Sequence, residues 1–340
     1  MPQLFRRASF AATRSLLCAA LSIVPLAGAS AQAPKLDPAK RQAFLYEAEK
    51  KYGVDAEQAA EWLKQARYQQ SIIDAITRPA EGKPWKAYRP IFMTADRIAK
   101  GRAFLEAHRD ELAAAQEKTG VPAEIITAII GVETSYGGNT GKYRVLDALY
   151  TLGFFYEPRA TFFRNELAQM LALASEEGID LSKATGSYAG AMGWGQFMPS
   201  SYRAYAKDGD GDGKRDLWAS LPDIFHSVAN YFAVHKWQPG QPVAVPAVRE
   251  AGAIDFKPDS LEAKYTLAEL AAKGYRPQQA IGHSLPATLV TLEGANGPEY
   301  WITFQNFYVI SRYNRSPLYS LAVYQLSEAL AGSNAPYAKP

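Results

Sequence analysis

The character of this chain changes once, near Pro239, and that change limits its fold more than any other feature. Before it, segments bounded by breakers carry apolar residues at helical spacing. After it, proline, valine and glycine rise and short alternating stretches appear. Residues 39–78 read as helices. Gln42, Leu45, Ala48 and Glu49 begin an amphipathic pattern that Tyr52-Gly53 ends, and Asp55 can cap a helix through Ala59, Trp62 and Leu63. Ser71–Thr77 is a further short helix, stopped before Pro79. Pro79–Pro90 reads as a breaker-rich loop holding Trp85 and Tyr88. Thr94 can cap one long helix through Ile98, Phe104 and Leu105 to Glu117, closed by Gly120, and Pro122 suits the first turn of the next. Tyr143–Leu152, a turn at Tyr156–Arg159 and a helix over Thr161–Glu177 follow, with Phe163, Leu167, Met170 and Leu171 as its core face. Helix returns over Ser220–His235. Beyond Pro239, Ala287–Leu292 and Glu299–Phe304 flank Gly294–Pro298 as a hairpin, preceded by a helical insert at Thr266–Lys273. Ser316-Pro317 starts a final helix through Leu321, Tyr324 and Leu330. The fold class this predicts is mainly α (α+β), with a small β-containing segment near 240–305.

The 340 residues, 48% of them hydrophobic, suffice for one large domain or two to three small ones. The formal charge of +3 is set by Arg6, Arg7 and Arg14 in an acid-free leader. Without them the chain is near neutral, and nothing points to nucleic acid as a partner. The leader reads as a secretory signal: basic residues, the apolar run Leu16–Leu26, then small-x-small sites at Ala29-Ser30-Ala31 and Ala31-Gln32-Ala33. An uncleaved anchor is the alternative, but the apolar run is short for a membrane span. The only cysteine, Cys18, lies inside this segment behind Leu16 and Leu17, where lipid attachment would want small residues. A lipid anchor is therefore not expected, and the mature chain has no thiol and no need of disulfides.

The stretch Ala123–Gly138 places Glu133 at the end of an apolar run. Ile126, Ile129 and Ile130 precede it by seven, four and three residues, spacings that share a helix face. A carboxyl group beside such a stripe is desolvated, its pKa rises, and it can act as a proton donor. A solvent-facing Glu at a helix end is the other reading of the stretch alone.

Two further stretches carry chemistry. Gly190–Tyr202 holds three glycines, at 190, 193 and 195, among Trp194, Phe197, Tyr188 and Tyr202. Glycines permit close approach, aromatic faces suit sugar rings, and Gln196 offers both a donor and an acceptor. A tight core turn has the same composition. Asp208–Asp216 reads D-G-D-G-D-G-K-R-D. Asp208, Asp210 and Asp212 at positions one, three and five, glycine at six and the Lys214 carbonyl at seven fit an EF-hand-type calcium loop. Asp216 falls at position nine, but position twelve is Ala219, so Asp223 is the nearest closing carboxylate. A solvated Asp/Gly turn is the alternative, though three alternating aspartates repel without a cation. His108, His226, His235 and His283 form no zinc pattern and read as structural or surface residues. No G-x-S-x-G or phosphate-binding loop is present, and Ser187, Ser200 and Ser201 have no evident His partner.

Together these residues resemble the lytic murein transglycosylase B family. The matching segments are I-I-G-V-E-T-S-Y-G at 129–137, G-S-Y-A-G-A-M-G-W-G-Q-F-M-P-S-S-Y at 186–202, the aspartate loop at 208–223, S-V-A-N-Y-F at 227–232 and N-F-Y-V-I-S-R-Y-N at 306–314. The resemblance implies a lysozyme-like α core with an embedded calcium loop, an α-helical domain and a small β domain. It places the signal peptide at 1–33, the helical domain at 34–120, the catalytic core at 121–238 with its metal loop at 208–223, the β domain at 239–305, and a returning segment at 306–340. It implies cleavage of the β-1,4 bond between N-acetylmuramic acid and N-acetylglucosamine in peptidoglycan, in the periplasm. Glycan strands are then the substrate, and wall-synthesis proteins are candidate partners. Glu133 matches the family's acid/base and Ser187 a residue that positions the sugar. Gln196, Phe197, Tyr231, Tyr313 and Asn314 match groove segments, with Tyr88 and Arg159 as further candidates. Asp208, Asp210, Asp212, Lys214 and Asp223 would hold structural Ca2+, and no organic cofactor is needed. The chain departs from the family in lacking a lipid-bearing cysteine, which some members have, and in needing Asp223 to end the loop.

Ordinary glycosidases use two carboxylates. The family segments supply only Glu133, so the expected route uses the C6 hydroxyl of the muramic acid as internal nucleophile, with the entropic advantage of intramolecular attack. The acetamido group can assist. One rival is a hydrolytic muramidase or chitinase-like enzyme with Asp147, Glu157 or Glu166 as second acid. The other is a non-catalytic envelope protein that binds glycan and calcium.

Overall fold

Asp37, Asp55 and Thr94 each accept a hydrogen bond from a backbone N–H of the turn they precede, at 2.8, 2.7 and 3.1 Å. Those caps fix the starts of α1 (Pro38–Tyr52), α2 (Ala56–Gln65) and, after α3 (Gln70–Ile76) and α4 (Trp85–Phe92), of α5 (Ala95–Ala107). Gly53 ends α1 and Gly120 ends α6 (Arg109–Thr119), both in the left-handed region. The computed structural model describes residues 34–78, 82–282 and 284–340. The signal reading of 1–33 with Cys18, the Pro79 stop and His283 lie outside them.

Two expectations are corrected here. The loop expected over Pro79–Pro90 holds α4 instead. Pro84 supplies the extended N-cap, Trp85, Tyr88 and Phe92 fall on one face, and Trp85 is 1% exposed with its Nε1 donating to Glu299 at 3.0 Å. Pro90 removes only one N–H from this short helix, and burial outweighs that loss. The single long helix expected from Thr94 to Glu117 breaks at His108, whose ring lies 4.6 Å from Phe104 and 6.0 Å from Phe225. Packing of the second half against the helix bearing Phe225 overrides the local preference to continue.

The chain then runs through α7 (Ala123–Thr134), β1 (Tyr143–Arg144), α8 (Val145–Phe155), a 3-10 turn at Glu157–Arg159, and α9 (Ala160–Glu177). Next come β2 (Thr185–Gly186), α10 (Pro199–Tyr205) and α11 (Leu221–Val234). Phe163, Leu167, Met170 and Leu171 are buried as expected. α7 is not a surface helix with one apolar stripe: Ile125, Ile126, Ala128, Ile129 and Ile130 are all buried, and it packs against α5, α6, α11 and the last long helix.

Beyond Pro239 lie β3 (Ala244–Arg249), α12 (Leu267–Ala272) with a capping box at Thr266 and Glu269, β4 (Tyr275–Pro277), β5 (Thr288–Gly294) and β6 (Gly297–Thr303). They form an antiparallel sheet in the order β4-β3-β6-β5, and β5–β6 is the expected hairpin. Alternation along the hairpin divides its two faces. Val290, Leu292 and Trp301 join the large helical core, while Leu289 and Ile302 join a smaller one with Leu270, Tyr275 and Phe304. Thr288 and Thr303 stand opposite each other in register, fully buried, and neither hydroxyl has a partner among the described residues. α13 (Gln305–Tyr313) and α14 (Pro317–Leu330) complete the element order before a 3-10 turn at Pro336–Ala338. The helix over α13 is absent from the sequence reading, which treated its residues only as a motif. Residues Lys35–Pro340 form one compact unit.

Candidate active site

Glu133 sits one residue from the end of α7, and the chain leaves that helix abruptly. Ser135, Tyr136 and Gly137 have φ of 53°, 60° and 81°. Left-handed backbone costs a non-glycine residue about 1–2 kcal/mol, so this exit is held by its surroundings. The N–H groups of Ser135 and Tyr136 donate to the carbonyls of Gly131 and Ile130 at 3.2 and 3.3 Å, which closes the helix end. Thr134 then ties the exit to the glycine-rich stretch. Its hydroxyl, shared between two acceptors, reaches the Ile130 carbonyl at 3.1 Å and the Trp194 carbonyl at 3.0 Å, and accepts from Gly137 N–H at 3.1 Å. At Gly137 a Cβ would overlap the Trp194 indole.

The Glu133 residue is half-buried, yet its carboxyl lies against enough protein that burial pushes its pKa up to about 7. The opposing influence is a hydrogen bond from the Tyr319 hydroxyl to Oε1 at 2.6 Å. No other carboxylate contributes to the shift. Tyr319 belongs to α14, which packs on α7, and it is 2% exposed. Burial first and the Glu133 charge second hold both the Tyr319 and Tyr313 hydroxyls well above the usual phenol range. A carboxyl with a pKa near neutrality carries its proton half of the time at pH 7, which suits a group that must both give and take one.

The expected groove residues gather unevenly. Phe197, Tyr231 and Tyr313 form one aromatic cluster, with ring centroids 5.7 Å apart for Phe197–Tyr313 and 4.8 Å for Tyr231–Tyr313. The Tyr313 hydroxyl donates to the Gly195 carbonyl at 2.5 Å, and a Cβ at 195 would come within 2.9 Å of that hydroxyl. Tyr231 donates to the Arg312 carbonyl at 2.6 Å. Gln196 has φ of 52°, and its Nε2 donates to the carbonyls of Thr140 and Gly193 at 3.1 and 2.9 Å. Its Oε1 has no protein donor among the described residues. Ser187 Oγ accepts from the N–H groups of Ala189 and Ala191 at 3.3 and 3.0 Å, closing a tight turn. Tyr88 lies on α4, its ring 6.4 Å from that of Trp85 and 5.2 Å from that of Phe92. Asn314 caps α13 and is exposed. Arg159 is exposed and covers Phe162 and Phe163 at 4.5 and 5.1 Å, so its observed contacts belong to α9 and not to the aromatic cluster.

The three candidate second acids are engaged elsewhere. Glu166 is buried, with its two oxygens accepting from Ser200 N–H and Oγ at 2.9 and 2.7 Å, where it caps α10. Asp147 is buried and accepts from Arg67 N–H, Gln69 Nε2 and Arg144. Glu157 is exposed and pairs with Lys40 at 3.4 Å. Tyr319 is the site residue that sequence reasoning missed. Its one signal was a polar-tipped aromatic in the first turn after Ser316-Pro317.

In the aspartate loop, Asp208, Asp210 and Asp212 each offer a carboxylate oxygen within 4.8 Å of the others. They accept N–H groups of the same loop: Asp208 from Gly211 and Gly213, Asp210 from Asp212, and Asp212 from Lys214. Asp223 is not in that cluster. It is 1% exposed, and its two oxygens accept from Gly209 N–H at 2.7 Å and Asp216 N–H at 2.6 Å, bracing the loop from beneath. Hard oxygen donors at this spacing fit Ca2+.

The family model for the transglycosylase SLT domain matches residues 37–328. The membrane-bound lytic murein transglycosylase B of Escherichia coli (strain K12) is 42% identical over 300 residues, covering 85% of this chain and 82% of its own. The catenated lytic transglycosylase SltB1 of Pseudomonas aeruginosa is similar in structure with a TM-score of 0.80 and 47% identity, over 87% of this chain and 98% of that one. The Escherichia coli lytic transglycosylase Slt35 in complex with calcium gives 0.78 and 42%, over 88% and 94%.

Proposed function

This chain belongs to the transglycosylase SLT domain family, and from that premise we propose that Glu133 is its single acid and base. The protein is a lytic transglycosylase, a lyase that cleaves peptidoglycan glycan strands. The observation that carries the assignment of Glu133 is its environment: an apolar helix end, a pKa of about 7, and no second carboxylate acting on it. In this reading protonated Glu133 gives its proton to the oxygen leaving C1 of the muramic acid. The carboxylate so formed takes the proton of the C6 hydroxyl as that oxygen attacks C1 of its own ring. The bond to N-acetylglucosamine breaks, a 1,6-anhydro bond forms, and no water is consumed. Tyr319 holds Oε1, which leaves Oε2 for the proton transfers. Ser187, Gln196, Phe197, Tyr231, Tyr313 and Asn314 line the groove, with Tyr88 beside them, and Arg159 serves the α8–α9 turn.

Residues 121–238 are the catalytic core of this reading, 34–120 the helical domain, 239–305 the β domain, and 306–340 the segment that returns to the core. The loop binds Ca2+ as a structural ion through Asp208, Asp210 and Asp212, with the Lys214 carbonyl beside them. Asp223 orders the loop through its two N–H contacts and is the carboxylate that would close the ligand set. The calcium-bound relative of the same fold supports this. In this reading the leader is a secretory signal and the enzyme works in the periplasm. No helix among the described residues is long and apolar enough to cross a membrane.

Mass spectrometry of cleaved strands tests the mechanism. The parent should yield 1,6-anhydro ends, and Glu133→Gln should lose cleavage by about a thousandfold, as expected for loss of a general acid. Products heavier by one water, or undiminished cleavage by the variant, would overturn it.

A further inference from the structure

A cleft of about 570 Å³ lies between the end of α11, one face of α13 and residues 262–264. Lys236 and Arg312 line it, and neither forms an ion pair among the described residues. The third cation, Lys264, is matched by Glu262 at 3.3 Å and Asp259 at 3.7 Å. Glu262, the one acid in the wall, also accepts from the Tyr308 hydroxyl at 3.2 Å. The cleft therefore holds two cations with no ion pair among the described residues. Arg312 lies over the Tyr308 ring at 6.0 Å, and Lys236 follows the end of α11 with a left-handed backbone, φ 70°.

One residue of the cleft touches the aromatic cluster. His235 lines it and stacks on Tyr231 at 4.2 Å, and Tyr231 in turn meets Tyr313 at 4.8 Å. A strand lying in the groove carries a peptide on the lactyl group of each muramic acid, and those stems are rich in carboxylates. We propose that the Lys236–Arg312 cleft binds a carboxylate of the substrate's peptide stem and makes the enzyme prefer peptide-bearing over denuded glycan. This rests on the function proposed above.

The test compares strands carrying their stems with strands stripped by an amidase, using the parent and the Lys236→Gln/Arg312→Gln double variant. The parent should show a lower KM on peptide-bearing strands, by about fivefold for each exposed charge pair, and the advantage should shrink with salt. The double variant should lose that advantage at unchanged kcat and cut stripped strands as the parent does. Equal parental KM on both substrates, a retained advantage in the variant, or equal losses on both would overturn the proposal. Titration of an isolated stem tetrapeptide into Glu133→Gln protein, with and without the two substitutions, reads the cleft without turnover. Binding that the substitutions abolish supports the cleft, and binding they leave intact refutes it. If neither strand is cut, the catalytic reading fails while this titration still decides the cleft.

Discussion

The hydroxyl of Tyr319 lies 2.6 Å from Oε1 of Glu133, across 186 residues of sequence. Among the described residues it is the one hydrogen bond that bears on that carboxyl's titration, and it opposes the burial that raises it. A bond to the charged form lowers a carboxyl pKa, so its loss must raise it. Cleavage needs protonated Glu133, so kcat/KM should fall as pH rises through about 7. In Tyr319→Phe that alkaline limb should move up by about one pH unit, since a hydrogen bond to a charged group is worth roughly 1.5–3 kcal/mol. A pH–rate profile with an unmoved limb would remove Tyr319 from the tuning of the acid.

Glu133→Gln should gain stability while it loses activity. The folded pKa of about 7 lies above the ordinary value of 4.5. The raised value favours the protonated, folded state: its stabilising effect is complete below about pH 4.5 and is lost as pH climbs through 7. Above that, the folded protein bears the cost of a poorly solvated charge. A neutral amide that still accepts from Tyr319 avoids it. At pH 8 the variant should be more stable than the parent by about 1–3 kcal/mol, and the gap should close near pH 4.5. Equal melting temperatures at both pH values would contradict the raised pKa.

Calcium should raise the melting temperature, because it binds only the folded arrangement of Asp208, Asp210 and Asp212. Asp210→Ala should abolish that increment and lose little in chelator. Asp223→Ala should differ, because it removes a buried carboxylate and leaves the partly buried N–H groups of Gly209 and Asp216 without their acceptor. It should cost about 2–4 kcal/mol even with chelator present. Chemical denaturation of both variants, with and without calcium, separates the two roles.

Thr288 and Thr303 face each other with buried hydroxyls that have no partner among the described residues. Replacing both with valine keeps their shape and removes two desolvated polar groups. The Thr288→Val/Thr303→Val protein should be more stable by about 1 kcal/mol. A loss of stability on denaturant titration would mean that each hydroxyl finds a partner in solution.

Local chemistry was readable from the residues themselves. Asp55, Thr94, Gly53 and Gly120 mark helix ends through bonds and φ values that depend on near neighbours. Glu133 stood out because an acid after a run of isoleucines is an unusual pattern. What the sequence hid was decided at a distance. α4 survives Pro90 because Trp85 is buried and bonded to Glu299, far along the chain. The break at His108 depends on Phe225, and the partner of Glu133 depends on α14. The same limit separates the groove residues: Phe197, Tyr231 and Tyr313 meet, while Arg159 rests on Phe162.

The acid on α7 and the tyrosines on α13 and α14 also arrive at different times. A ribosome makes Glu133 long before Tyr313 and Tyr319, and loop closure over such a separation is slow. Until α14 docks on α7, Glu133 is an ordinary carboxyl on an unfinished helix surface, without its hydrogen bond and without the wall that desolvates it. The acid is therefore complete only once the last long helix is in place, so the part of the chain made last finishes the environment of a residue made far earlier.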